Sequence, residues 1–344
     1  ANLAMNNKSQ RYPLGDLELL SGKVLPNAVL VYATYGELSL AKDNVVLLPT
    51  FYTGTHYRNE GFFGVGRAID PSQHFIISVN MFGNGLSSSP SNALPPVDGP
   101  HFPEITLYDN VMCQHRLVTE LFGIQKIRLV AGWSMAGCQA YHWAAQYPEM
   151  VNAILPFCAS ARTSPHNFVF LEGVKAALTA DQTWNGGNYR SPPVEGLKAF
   201  GRVYAGWAFS QTFFREGLYR SLGFDTPEDL LRAWEEDHLQ WDANDLLANL
   251  WTWQNADIGA DPVYQSDFHR ALASIKARAI LMPCSSDFYF PPEDNEIEAS
   301  HMPNAELRTY HSAWGHCVAS PGNDSEFTQF LDSAISELLE TNIS

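Results

Sequence analysis

The run Ile127-Arg-Leu-Val-Ala-Gly-Trp-Ser-Met-Ala-Gly-Cys-Gln-Ala-Tyr-His-Trp-Ala-Ala-Gln146 reads as a buried strand, a tight turn and an immediate helix. Residues 127–131 are an apolar run too short for a helix, whereas 135–147 have helical spacing and no proline. Between them Ser134 is flanked by small residues, with Gly132 two before, Ala136 two after and Gly137 three after. The pattern G-x-S-x-G thus appears as G-x-S-x-A-G, the layout of a nucleophile elbow. A strand-to-helix turn pushes the hydroxyl out of the sheet, where a base can activate it. Ser134 is the candidate nucleophile, and partners elsewhere in the chain separate it from a serine in an ordinary turn.

Those partners are expected in the order serine, acid, histidine. Residues 277–283 form a second short apolar strand that runs into Cys284-Ser-Ser-Asp287-Phe-Tyr-Phe-Pro-Pro292. An acid just past the end of a strand lies where open parallel sheets place their sites, so Asp287 is the candidate acid. A strand at 306–309 leads through Tyr310-His311-Ser-Ala-Trp-Gly-His316-Cys317 to a last helix at 325–339. His316 is the candidate base; its competitor His311 lies too close to the strand end to reach inward. The other nine histidines are scattered without metal-ligand spacing, so neither metal nor cofactor is expected. Two backbone N–H donors must hold the oxyanion. Met135, directly after the nucleophile, supplies one. Tyr52, ahead of Phe51, supplies the other from the loop after the strand at 45–48.

These and further pieces resemble the homoserine O-acetyltransferase family of α/β-hydrolase proteins and the esterases grouped with it. The carrying stretches are Tyr32-Ala-Thr-Tyr-Gly-Glu37, Gly66-Arg-Ala-Ile-Asp70, Phe75-Ile-Ile-Ser-Val-Asn80, Phe102-Pro-Glu-Ile-Thr-Leu-Tyr-Asp109 and Gly132-Trp-Ser-Met-Ala-Gly137. Later come Trp241-Asp-Ala-Asn-Asp245, Ser286-Asp287 with Phe290-Pro-Pro292, and Gly315-His316. By this resemblance Ser134, Asp287 and His316 fall on the family's nucleophile, acid and base. In the homoserine enzymes the histidine is typically followed by an aspartate that holds the substrate's ammonium; here Cys317 follows. A neutral thiol cannot replace that ion pair. Trp133 and Ala136 also stand where the acetyltransferases usually have glycines. The chain therefore resembles the esterase side of the group: a serine carboxylesterase for small acyl esters, with acetyl transfer to homoserine or a similar alcohol as the alternative. A carboxylate-binding Arg215 or Arg220 facing the serine would favour transfer, and an all-apolar pocket would favour hydrolysis.

The expected architecture is an α/β-hydrolase fold, a mostly parallel central sheet with flanking helices. Residues 10–160 and 271–344 form its core, and 161–270 form an inserted helical lid. The insertion shows no strong strand signal and is rich in aromatics. Within it, Thr226-Pro-Glu-Asp229 reads as a capped helix start, and 185–193 as a flexible connector. Prolines 90, 95, 96, 100 and 103 mark a long loop, before a helix capped by Asp109, that is expected to rim the active site.

Composition narrows the class. The chain has 344 residues, 45% of them hydrophobic, and a net charge of −16. That charge argues against nucleic acid and anionic membrane surfaces, and disfavours coenzyme A as a donor. Five cysteines without C-x-x-C spacing suggest reduced thiols and a cytoplasmic setting. Cys317 as nucleophile is disfavoured because Ser134 already occupies the elbow. No leader pattern or run of 18 apolar residues occurs, and residues 1–5 read as a start-proximal or appended tail. The resemblance further implies a homodimer made through the lid helices.

Overall fold

The computed structural model describes residues 9–343, so the tail reading of residues 1–5 lies outside the described residues. The first half of the chain gives β1 (Gln10–Glu18), β2 (Val24–Tyr35), β3 (Val45–Leu47), α1 (His56–Asn59), β4 (Phe75–Val79), α2 (Leu107–Arg116), β5 (Leu129–Trp133), α3 (Met135–Gln146) and β6 (Ala153–Phe157). Helices then follow without a strand: α4 (Pro165–Thr179), α5 (Val194–Ala208), α6 (Gln211–Arg215), α7 (Pro227–Leu239), α8 (Ala243–Gln254) and α9 (Phe268–Ala273). The chain closes with β7 (Arg278–Leu281), α10 (Pro292–His301), β8 (Ala305–Leu307) and α11 (Ser325–Leu339).

The eight strands form one sheet in the order β1-β2-β4-β3-β5-β6-β7-β8. β2 pairs antiparallel with β1 and β4, and every other neighbouring pair is parallel. Strands β3 to β6 are buried along their whole length, which is why they read as unbroken apolar runs. Side chains alternate between faces. Val130 packs with Val111 and Trp143 of α2 and α3, whereas Leu129 and Ala131 pack with Leu331 and Ile335 of α11. The helices between β6 and β7 share a third, aromatic cluster built on Phe200, Tyr204, Phe213 and Trp253.

Several boundaries shift. β5 starts two residues later than the apolar run, because Ile127 makes only a single bridge to Val151 while Trp133 stays in register with Phe157. β8 covers 305–307, and Tyr310 beyond it bridges Cys284 alone. α2 is capped by Thr106 rather than Asp109; Asp109 sits at the third helical position and its carboxylate accepts from Thr106 N at 3.0 Å. The cap at Thr226 forms as expected, with a reciprocal bond to Asp229. The connector at 185–193 begins inside a 3-10 turn, Gln182–Gly187. All five cysteines are buried free thiols, and no helix among the described residues is long and apolar enough to cross a membrane.

Candidate active site

Four loops leave the C-terminal ends of β3, β5, β7 and β8 on one edge of the sheet, the edge where open α/β sheets bind ligands. Ser134 sits in the turn after β5 with φ 58° and ψ −127°, a conformation strained for a non-glycine residue. Packing imposes it. A Cβ on Gly132 would lie 2.4 Å from that of Ala136, so α3 can start this close to β5 only over a glycine. Ser134 N donates to Phe157 O at 3.1 Å, tying the turn to β6.

Asp287 lies in the loop after β7, buried. Its Oδ1 accepts from Tyr289 N at 2.8 Å and Phe290 N at 3.2 Å, and its Oδ2 lies 2.8 Å from His316 Nδ1. With Nδ1–H donating to the carboxylate, Nε2 keeps its lone pair. The imidazole is wedged between Trp133, Tyr289 and Phe290, with ring centroids 5.3, 4.7 and 5.6 Å away. Ser286 joins the two loops: its hydroxyl donates to Ser312 O at 2.6 Å and accepts from Gly315 N at 3.0 Å. Gly315 itself has φ +69°, and a Cβ there would lie 3.0 Å from Ala208 O of α5. His311 is exposed, away from this arrangement.

Ser134 and His316 line one cavity of about 310 Å³ without a hydrogen bond between them. The Met135 and Tyr52 N–H groups have no acceptor among the described turn and loop backbone bonds. Tyr52 also braces the site: its hydroxyl donates to Leu246 O of α8 at 2.7 Å. A buried chain of amides links the two donor loops, since Gln139 of α3 donates to Thr50 O at 2.9 Å and accepts from Gln114 Nε2 at 2.7 Å.

The rest of the cavity comes from places the sequence did not single out. Arg58 contributes from α1, its guanidinium 4.9 Å from the Phe51 ring and 5.7 Å from that of Trp133. Tyr204 contributes from α5, and Trp234, Asp237 and His238 from α7. The wall is therefore not all apolar, and its arginine comes from the short helix that follows β3. Arg215 and Arg220 are not in it; Arg220 lies over Tyr219. The proline-rich loop does not rim it either. Ser88 N and Oγ bond to Val29 and fold the loop back on β2, where Pro95 and Pro96 line a separate hollow. Cys317 lines the cavity as a thiol, pushed up to about 12 by burial and therefore uncharged at neutral pH. Among the described residues, donor atoms suited to a metal gather three together only at Cys158, Asp287 and His316. A cation there would compete with the Asp287–His316 bond, and burial holds the Cys158 thiol protonated.

A family model described as the alpha/beta hydrolase fold matches residues 43–318. The chain is 37% identical over 332 residues to an ethyl acetate hydrolase of Pseudomonas veronii, covering 95% of this chain and 94% of that one. It is 32% identical to a homoserine O-acetyltransferase of Trichormus variabilis, over 87% and 86% of the two chains. The solved structure of the acetyl esterase MekB superposes with a TM-score of 0.94 at 36% identity, covering 96% of each chain.

Proposed function

The chain belongs to the alpha/beta hydrolase fold family and is a hydrolase, and on that premise we propose that it is a serine carboxylesterase acting on small acyl esters. One observation carries this reading: a strained elbow serine shares a small cavity with a histidine whose Nδ1 is held 2.8 Å from a buried carboxylate. His316 Nε2 takes the Ser134 proton while Asp287 holds the tautomer and stabilises the imidazolium. The alkoxide attacks the ester carbonyl, and the oxyanion rests on the Met135 and Tyr52 N–H groups. His316 then protonates the departing alcohol. Water, deprotonated by the same histidine, releases the acid from Ser134.

Acetyl transfer is the weaker reading because the thiol of Cys317 stands where an ammonium-binding aspartate is expected in homoserine enzymes, and no lid arginine lines the cavity. The helices from α4 to α9 act in this reading as a lid over the sheet edge. Apolar side chains exposed on α4 and α5, Phe168, Val169, Val194 and Val203, support pairing of two copies there; sedimentation velocity tests it. The free thiols fit a reducing, cytoplasmic setting. Turnover of p-nitrophenyl acetate, with and without L-homoserine, tests the main proposal. Acetate release indifferent to homoserine is expected, and O-acetylhomoserine as the main product overturns it.

A further inference from the structure

The loop carrying Tyr52 and the start of α3 carrying Met135 share no hydrogen bond among the described turn and loop backbone bonds; the side chain of Gln139 joins them. Its Nε2 donates to Thr50 O at 2.9 Å, two residues before Tyr52, and to Met135 O at 3.2 Å, so both protons of one amide are used. Its Oε1 accepts from Gln114 Nε2 of α2 at 2.7 Å, and Gln114 Oε1 accepts from Trp143 Nε1 at 2.8 Å. The two ends of this chain orient both amides. An indole N–H only donates, so the Gln114 oxygen faces Trp143 and its nitrogen faces Gln139. Gln139 must then turn its oxygen to Gln114 and its nitrogen to the two carbonyls, which only accept. Thr50, Gln114, Gln139 and Trp143 are all fully buried.

Other bonds set the shape of the loop itself. Asn59 Nδ2 donates to Leu48 O at 3.1 Å and Pro49 O at 2.8 Å, and Gly54 N donates to Phe51 O at 3.0 Å. In the trans peptide between Phe51 and Tyr52 the C=O and N–H point opposite ways, so the Gly54 bond turns the Tyr52 N–H away from Gly54. The distance of this shaped loop from α3 rests on the Thr50–Gln139 bond. A satisfied buried amide specifies one arrangement, which an apolar side chain of the same size would not. Two oxyanion donors act together only when both sit at the right distance from the developing charge. Resting on the esterase reading and its assignment of the Met135 and Tyr52 N–H groups, we propose that Gln139 is a positioning residue: it fixes the spacing of those two donors and so acts on the transition state without touching substrate.

Gln139→Met in the full chain tests this, with p-nitrophenyl acetate for turnover and trifluoroacetone as inhibitor. When Ser134 Oγ adds to the ketone carbonyl, its proton passes to His316 and the carbonyl oxygen becomes an oxyanion facing the two N–H groups. The expected variant is folded by circular dichroism, with kcat about 10²-fold lower. Its KM should stay within about threefold of wild type, and its trifluoroacetone Ki should rise in proportion to the loss in kcat/KM. Gln139→Glu, which keeps the length and, when protonated, one donor, should lie between the two. A folded Gln139→Met with kcat near wild type, or one whose loss falls on KM or leaves Ki unmoved, overturns the proposal. Should Gln139→Met fail to fold, Gln139→Asn, an amide one carbon too short to reach Thr50, decides it by the same constants. Wild-type protein that does not turn over p-nitrophenyl acetate sinks the esterase reading as well; wild-type turnover with any of the adverse results sinks only this inference.

Discussion

The sheet edge and the helical layer above it build their halves of the cavity by different means. At the sheet edge nearly every polar atom of Ser286, Asp287 and His316 is committed to a neighbour at hydrogen-bond distance. In the helical layer, aromatic packing positions the wall and His238 Nε2 is buried without a partner. Chemistry needs atoms fixed to within fractions of an ångström, which short loops on rigid strands supply. Selection among substrates needs shape and a few open polar groups. Changes at the sheet edge should therefore abolish turnover in a folded protein, and changes in the layer should act on stability or substrate choice.

The largest break is Ser134→Ala, expected to lower kcat by about 10⁶-fold with folding intact by circular dichroism. Near-normal turnover would remove the serine from the chemistry. Asp287→Asn keeps the shape but loses the charge and tautomer control, and about a 10⁴-fold loss is expected in steady-state kinetics.

On the other side of the comparison, Trp253 of α8 is fully buried and stacks on Phe290, ring centroids 5.8 Å apart. Trp253→Ala should cost about 3–5 kcal/mol in urea unfolding. Because Phe290 lies beside His316, kcat should also fall; stability loss without any kinetic effect would mean the two regions are uncoupled.

Glu298 of α10 sharpens the contrast from beneath the site. Its carboxylate accepts from Tyr141 of α3 at 2.6 Å, Asn295 at 2.8 Å and Ala161 N at 2.7 Å. Glu298→Gln turns one acceptor oxygen into a donor facing donors, at a cost of about 1–3 kcal/mol. Burial raises this carboxyl from 4.5 to about 7, so the fold prefers it protonated. Its contribution is complete below pH 4.5 and is lost as pH rises toward 7. The stability gap between wild type and Glu298→Gln should accordingly narrow over that range in melts at several pH values. The smallest effect is Thr226→Ala, which removes the cap of α7 for about 1 kcal/mol in thermal unfolding.

Ser134, Asp287 and His316 were legible because each is announced by its own neighbours: small residues at an elbow, an acid past a strand, a histidine after glycine. Met135 followed from the serine, and Tyr52 from a loop after a strand. Arg58, Tyr204, Asp237 and His238 were not legible. They come from three helices far apart in the chain, and nothing local distinguishes His238 among eleven histidines. The proline-rich loop misled because prolines mark a loop without saying which edge it covers, and its bonds to Val29 set that.

Periodicity and turn chemistry are local properties of the chain, so the sequence by itself determined the α/β layering, the elbow and the order of the candidate triad. Which helices close over the elbow, and which arginine and which histidine reach the cavity, depend on side chains from separate elements meeting in the folded chain. Only the tertiary structure decided those, because packing and burial are properties of the assembled fold.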